Sequence, residues 1–433
     1  MKKVLIISYY WLPSGGSGVQ RWVKFAKYLR EFGWEPIIYT PENPEFPSID
    51  HSFEKDIPAD ILVLKTPIWE PYNVYRKLTS KKGEPINAGF ISENKKQGWK
   101  DKMSIWIRGN FLIPDPRRFW IRPSVNYLTN YLQDNPVDAV ITSGPPHSMH
   151  LIGMGLKENF PSLPWIADFR DPWTNIYFYK DLKTTWLADR IHHRLEKKVV
   201  RTADTVVVVS PGMKEEFEML KPKKLQIITN GYDEDDIRLA DSSLDKKFSI
   251  SHIGLLTEKQ NPRVLWKVLS ELCNENPAFR SDLKIQLIGK VDFSVLESVS
   301  EYGLQEQLEK IPYLPHGEAI AKQQSSQILL LLLLNKTGTK GIITGKLFEY
   351  LAAKRPILSF GPVDGDAATV LREAGAGNMI DFTDEVSTKE LVSEYYEYYK
   401  NNTLIIENKS VTKFSRKNLT GDLAKLLDEL IKN

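Results

Sequence analysis

The 433-residue chain has a single cysteine, Cys273. It can therefore form no intrachain disulfide and no cysteine-based zinc site. Long apolar runs are also missing. The longest, residues 328–334, has seven residues, far below the ~20 that cross a bilayer. The start Met1-Lys2-Lys3 is basic, but residues 4–7 are too short for the apolar segment of an export leader, and no small-residue cleavage site follows. A cytoplasmic protein is expected. An excess of one charge is absent as well. Lys plus Arg number 58 and Asp plus Glu 55, a net charge of +3, too balanced for a nucleic-acid binder. Apolar residues at 42% and charged residues at 26% are the amounts of a globular protein. At roughly 100–200 residues per domain, the length implies two or three domains.

Short, unbroken apolar runs recur at residues 4–8, 37–40, 61–65, 139–143, 165–168, 205–210 and 226–229. A second series follows at 248–254, 284–289, 328–334 and 357–360. Runs of this length suit strands buried on both faces of a parallel sheet. Helical patterns lie between them, at 20–32, 261–273, 344–353 and 366–373. The alternation predicts an α/β fold of two doubly wound, Rossmann-like domains facing a cleft. The expected division is 1–240 and 241–409, with residues 233–247 as a polar linker. Residues 410–433 form a separate amphipathic helix.

One stretch breaks the rhythm. Residues 72–125 hold twelve Lys or Arg against four acids, with Tyr72, Tyr75, Phe90, Trp99, Trp106, Phe111, Phe119 and Trp120 interleaved. The local balance is +8, inside a first domain of +5 and against a second of −2. A basic, aromatic segment can lie on an anionic membrane surface or act as a lid over a cleft.

Chemistry gathers at the strand ends. The first strand leads into Pro13-Ser14-Gly15-Gly16-Ser17-Gly18, then a helix. Such a loop lets backbone N–H groups meet a phosphate or a sugar. A dinucleotide fingerprint would need glycine at position 21, which is Arg21. Gly144-Pro145-Pro146-His147 places His147 at a sheet edge. His147 and His150 are three apart, but no further ligand pattern joins them, and no metal is expected. Asp168-Phe169-Arg170-Asp171 sets two carboxylates around a guanidinium. The cluster can orient sugar hydroxyls or lock a loop internally. In the second half, Gly254 opens a turn holding Lys259. Lys346 and Glu349 share the first turn of a later helix. That lysine can meet a diphosphate, and that glutamate can accept both ribose hydroxyls. The bland reading is an ordinary ion pair. Asp366 reads as a helix N-cap.

Taken together, these motifs resemble the GT-B glycosyltransferases of the large retaining family 4. Residues 15–18 are similar to the family's first glycine loop. Asn230-Gly231-Tyr232-Asp233 resembles its turn out of the first domain, and residues 346–356 its nucleotide-sugar helix and following strand. Residues 144–150 and 168–173 and the pair Asn261-Pro262 resemble a bacterial branch used in surface polysaccharide assembly, and the last helix resembles the family's return helix. The resemblance implies transfer of a sugar from a UDP- or GDP-linked donor to a hydroxyl acceptor, lipid-linked or a lipopolysaccharide or capsule glycan. It implies retained configuration, no metal and no cofactor. Glu349 would hold the donor ribose. Lys259, Lys346 and Gly254 would stand at the diphosphate, with Gly16 and Gly18 approaching from the first domain. Asp168, Arg170 and His147 would position acceptor or sugar. The sequence departs from the pattern at Gly341, where a glutamate is usual, and at Leu255, where an arginine is usual. Asp168 to Asp171 take the place of a usual histidine. Two rival readings keep the fold: a nucleotide-sugar 2-epimerase and a non-catalytic nucleotide-sugar-binding protein.

Overall fold

The computed structural model describes residues 1–46, 49–71, 99–238, 243–336, 338–404 and 411–432. Residues 72–98, half of the basic insertion, lie outside that set. The chain divides into two compact units, Met1–Thr229 with Leu419–Asn433, and Asn230–Asn418.

The first unit runs β1 (Lys2–Ile7), α1 (Ser17–Leu29), β2 (Trp34–Pro41), β3 (Leu62–Thr66), α2 (Trp99–Phe111), α3 (Arg118–Asp134), β4 (Ala139–Gly144), α4 (Ser148–Asn159), β5 (Trp165–Phe169), α5 (Trp186–Thr202), β6 (Thr205–Val208), α6 (Pro211–Glu218) and β7 (Leu225–Ile227). Among the described residues its seven strands are all parallel, in the order β3-β2-β1-β4-β5-β6-β7. β1 is central, with Val4 opposite both Pro36 and Ala139. Its side chains alternate between two cores. Leu5 and Ile7 meet Leu128, Ile152 and Trp165, while Val4 and Ile6 meet Trp22, Phe25 and Leu427. Burial on both faces is why the run is apolar without a break.

The second unit runs α7 (Glu234–Arg238), β8 (Phe248–Ile253), α8 (Arg263–Glu275), α9 (Pro277–Asp282), β9 (Leu283–Ile288), α10 (Phe293–Glu301), β10 (Leu308–Ile311), α11 (His316–Ser325), β11 (Ile328–Leu332), α12 (Gly345–Ala352), β12 (Ile357–Phe360), α13 (Asp366–Glu373), β13 (Met379–Ile380) and α14 (Glu385–Lys400). Six parallel strands follow the order β10-β9-β8-β11-β12-β13. A last helix, α15 (Arg416–Leu430), sets Leu419, Leu423, Leu426 and Leu427 into the core of the first unit. Asp428 on it accepts from Lys2 Nζ and from Trp34 Nε1 at 3.1 Å. A helix at the end of the chain thereby closes the sheet at its beginning.

Several expectations need correction. The stretch 233–247 contains a helical turn, α7, as well as polar linker. The described part of the insertion is two helices, α2 and α3. β10 and β13 have no counterpart among the apolar runs. β10 is a partly exposed edge strand, and β13 has two residues. Asp366 is the first residue of α13, not its cap. Gly365 occupies the cap position and offers no side chain. Among the described residues, no helix is long and apolar enough to cross a membrane.

Candidate functional site

In each sheet the strand order reverses at one place, between β1 and β4 in the first unit and between β8 and β11 in the second. Open α/β sheets bind ligands outside the carboxyl ends of strands at such a switch point. The residues singled out from sequence fall at these two places.

In the second unit, β8 ends at Ile253 and Gly254 follows with φ +117°. A Cβ there would lie 2.7 Å from Lys346 Cε and Nζ. Only glycine permits both this backbone and this approach. Lys346 sits at the start of α12, which follows β11. Its Nζ lies 3.4 Å from His252 Nε2 and 3.5 Å from the Leu255 carbonyl. His252 Nδ1 lies 3.0 Å from the Leu330 carbonyl. Nε2 also lies 3.3 Å from the Leu255 carbonyl. A hydrogen on Nδ1, at the shorter of the two carbonyl contacts, leaves the Nε2 lone pair toward the ammonium. Burial and the nearby Lys346 charge pull the His252 pKa down to about 3, which keeps the ring neutral. Burial also draws Lys346 down to about 8, opposed by Glu349. No ion pair joins Lys346 to Glu349 among the described residues. Glu349 Oε2 instead accepts from Gln323 Nε2 on α11 at 3.0 Å. The helix N-terminus is open, because Thr344 at its cap makes no capping bond and its buried hydroxyl has no partner among the described residues. An ammonium, an uncapped helix start and an oriented carboxylate therefore stand together.

Lys259 lies in the neighbouring 3-10 turn Glu258–Gln260. Its carbonyl accepts from Asn335 N at 3.0 Å, and Gln260 Nε2 donates to the Leu332 carbonyl at 2.9 Å. The Lys259 loop is thus tied to the end of β11, across the switch point from Gly254.

In the first unit, Asp168 at the end of β5 is not paired with Arg170. It is buried against Arg21, which donates from Nη2 to Oδ1 at 2.8 Å and from Nε to Oδ2 at 3.3 Å. Ser143 Oγ adds a third bond to Oδ2 at 3.0 Å. Arg21 also donates to the carbonyls of Thr229 and Ile228. Both oxygens of Asp168 are therefore engaged, and the pair clamps α1, β4, β5 and the end of the unit together. The arginine that defeats a dinucleotide fingerprint is the residue that makes this clamp.

Arg170 points elsewhere. It donates to the Pro145 carbonyl, and its Nε is buried without a partner among the described residues. A Cβ on Gly18 would collide with its Nη1. Any larger residue at 18 would require this guanidinium to move. Gly16, at φ +102°, is the cap of α1 and supplies no side-chain bond to its first N–H groups. Arg21 takes the Asp168 carboxylate, while Arg170 has Asp171 and Asp168 as its nearby acids, beside an uncapped helix start. Burial lowers the pKa of Arg170, and Asp171 and Asp168 oppose that effect.

His147 occupies the cap position of α4 without a side-chain capping bond, and its ring stacks on Trp173, with ring centroids 4.8 Å apart and planes parallel. Burial holds its pKa well below the usual value. Trp173 is fixed in turn by α5. Its indole N–H donates to His192 Nδ1 at 3.0 Å, and its backbone N–H to Glu196 Oε1 at 3.2 Å. His150 Nδ1 lies 2.9 Å from Thr142 Oγ1. The His147–His150 pair is packed around Gly144, where a Cβ would meet both rings.

Arg21, His252 and Gln323 were missed as site residues. His252 left one trace, a histidine inside the otherwise apolar end of a strand run. Gln323 left none, because its role depends on where α11 packs.

Comparisons with known proteins bear on the family and the fold. Residues 92–236 match the family described as Glycosyltransferase Family 4. No curated protein matches the chain by sequence. Among solved structures, sucrose-phosphate synthase from Thermosynechococcus elongatus aligns with a TM-score of 0.62 at 13% identity, covering 100% of both chains. WaaG, a glycosyltransferase involved in lipopolysaccharide biosynthesis, aligns at 0.56 and 11% identity, covering 98% of this chain and 99% of its own. An E. coli trehalose-6-phosphate protein bound with UDP-2-fluoro glucose aligns at 0.60 and 10% identity, covering 99% of each. The fold is GT-B.

Proposed function

We propose that this chain is a retaining glycosyltransferase that moves a sugar from a nucleoside-diphosphate sugar to a hydroxyl acceptor. The observation that supports it most is the grouping of Lys346, Gly254, the open start of α12 and Glu349 at the switch point of the second sheet. The chemical problem in such a transfer is a departing diphosphate. Lys346 and the helix start meet its charge, with Lys259 on the adjoining turn. Glu349, oriented by Gln323, accepts the ribose hydroxyls. His252 fills a gap left by the missing arginine at Leu255, by holding the ammonium over the glycine.

In the transfer, the bond from the anomeric carbon to the phosphate oxygen breaks and a bond to the acceptor oxygen forms on the same face. The acceptor proton passes to the leaving phosphate oxygen. On the first unit, Arg170 and His147 face the acceptor or sugar, while Asp168 positions them through Arg21 and β5. The acceptor proposed is a lipid-linked or envelope glycan. UDP-glucose is the first donor to try, because a structural neighbour binds its 2-fluoro analogue. Product mass separates the readings. A glycosylated acceptor supports transfer, whereas a free epimerised sugar made without any acceptor would replace it with epimerisation.

A pH dependence follows from Lys346. The protonated ammonium binds diphosphate, and its pKa in the free protein is about 8. Bound diphosphate raises that pKa. Affinity for a nucleoside diphosphate should therefore be highest below pH 8 and fall up to ~tenfold per pH unit above it. Calorimetric titrations across that range check the slope. In Lys346→Met the slope should vanish.

A further inference from the structure

Large apolar side chains are usually covered, yet one face of the first unit shows many. Trp186 is 73% exposed, Trp99 69%, Phe111 60% and Leu187 58%, and Trp69, Met103, Trp106, Ile107, Phe119 and Ile191 are exposed as well. They come from three separate places in the sequence, and the fold joins them. Asn110 at the end of α2 donates to the Lys183 carbonyl and accepts from Thr185 N at 2.6 Å, just before α5 begins. Gly109 lies so close to the Leu182 carbonyl that a Cβ would stand 2.5 Å from it. The start of α5, with Trp186 and Leu187, is thereby fixed beside α2. On the other side, Arg118 donates to the Phe111 carbonyl at 2.6 Å and covers the Phe119 ring, which meets Trp69 edge-on. Trp106 meets Phe111 in the same way.

The charges around this patch have one dominant sign. Lys102, Arg118, Arg122, Lys183, Arg190 and Arg194 are all exposed. Arg190 lies 5.7 Å above the Trp186 ring. Patches of this breadth on a soluble surface mark interaction sites. Tryptophans rimmed by arginines suit the boundary between lipid headgroups and acyl chains, where an aromatic ring has one wet and one apolar side. The exposed rings lie along α2, at the start of α5, at the start of α3 and at Trp69.

We infer that the α2–α5 face is a docking surface for an anionic lipid bilayer. The rings enter the headgroup layer and the arginines meet lipid phosphates. The inference deepens the proposed reading, because it places the acceptor at a membrane. It also extends the membrane element well beyond the basic insertion, onto α5. That helix carries His192 and Glu196, which hold Trp173 against His147. The docking face and the proposed acceptor loop are thus built on one helix.

The test is co-sedimentation of the full chain with vesicles of phosphatidylcholine, alone or with a third phosphatidylglycerol. Wild type should pellet with the anionic vesicles, and salt should release part of it, leaving a fraction held by the inserted rings. Removing a basic residue near the surface costs about fivefold in partitioning. Arg122→Gln with Arg190→Gln should therefore weaken binding ~25-fold. Trp106→Ser with Trp186→Ser should abolish binding that persists at high salt. All four positions are exposed, so thermal stability and nucleoside-diphosphate binding should match wild type. Equal pelleting with and without anionic lipid, or no loss in either double variant, would overturn the inference. So would self-association that is lost in the tryptophan variant while vesicles are ignored. Failure of nucleotide binding in wild type would instead count against the donor-site reading and leave this one standing.

Discussion

Lys346→Met should lower sugar transfer by about 10²–10³-fold with little change in folding. The ammonium belongs to the first turn of α12, at its open start, and the diphosphate gains charge as the sugar leaves. Removing one preorganised group that meets developing charge costs roughly 3–4 kcal/mol. The effect should fall mainly on turnover, because the stabilisation grows toward the transition state. Glu349→Gln is the contrasting case. It keeps one acceptor oxygen but loses the charge, and a hydrogen bond to a charged group contributes about 1.5–3 kcal/mol. The loss should appear chiefly in donor affinity, since the ribose is remote from the reacting carbon. Initial rates over a range of donor concentrations separate the two patterns. A Lys346→Met enzyme with normal turnover would remove this lysine from the mechanism.

The second large effect is on stability. Arg21→Met should destabilise the first unit by about 3–5 kcal/mol, because it leaves the buried Asp168 carboxylate without its cation. Ser143 alone would remain as a donor to it. Adding Asp168→Asn should recover part of the loss, since a neutral amide buries at lower cost. Urea unfolding of the two variants gives the comparison. A single Arg21→Met change that costs under 1 kcal/mol would mean that the pair is not the clamp described above.

The strands and the doubly wound pattern were readable because their runs are buried on both faces. Continuous valine, leucine and isoleucine leave few other assignments. β10 and β13 were not, because one is a half-exposed edge strand and the other has only two residues. The glycine positions were readable too. Gly18 and Gly254 lie where a helix start or a lysine must come within contact distance of backbone. What the sequence could not convey was partnership. Asp168 stands two residues from Arg170, yet it bonds to Arg21, 147 positions away. Lys346 is three residues from Glu349, yet it turns to His252, 94 positions away. Local spacing predicts neighbours on one helix. Which charge a side chain meets depends on how two strands and a helix converge at a switch point. The insertion shows the same limit. Its basic and aromatic composition was evident, but the adjoining turn of α5 looked like an ordinary helix start.

The central claim is a nucleoside-diphosphate site at Gly254, Lys346 and Glu349. Calorimetric titration of UDP and of GDP into wild type, Lys346→Met and Glu349→Gln tests it most directly. One of the two nucleotides should bind wild type with one-to-one stoichiometry, and both variants should weaken that binding by at least ~tenfold. Wild type that binds neither nucleotide, or variants that bind as wild type does, would contradict it.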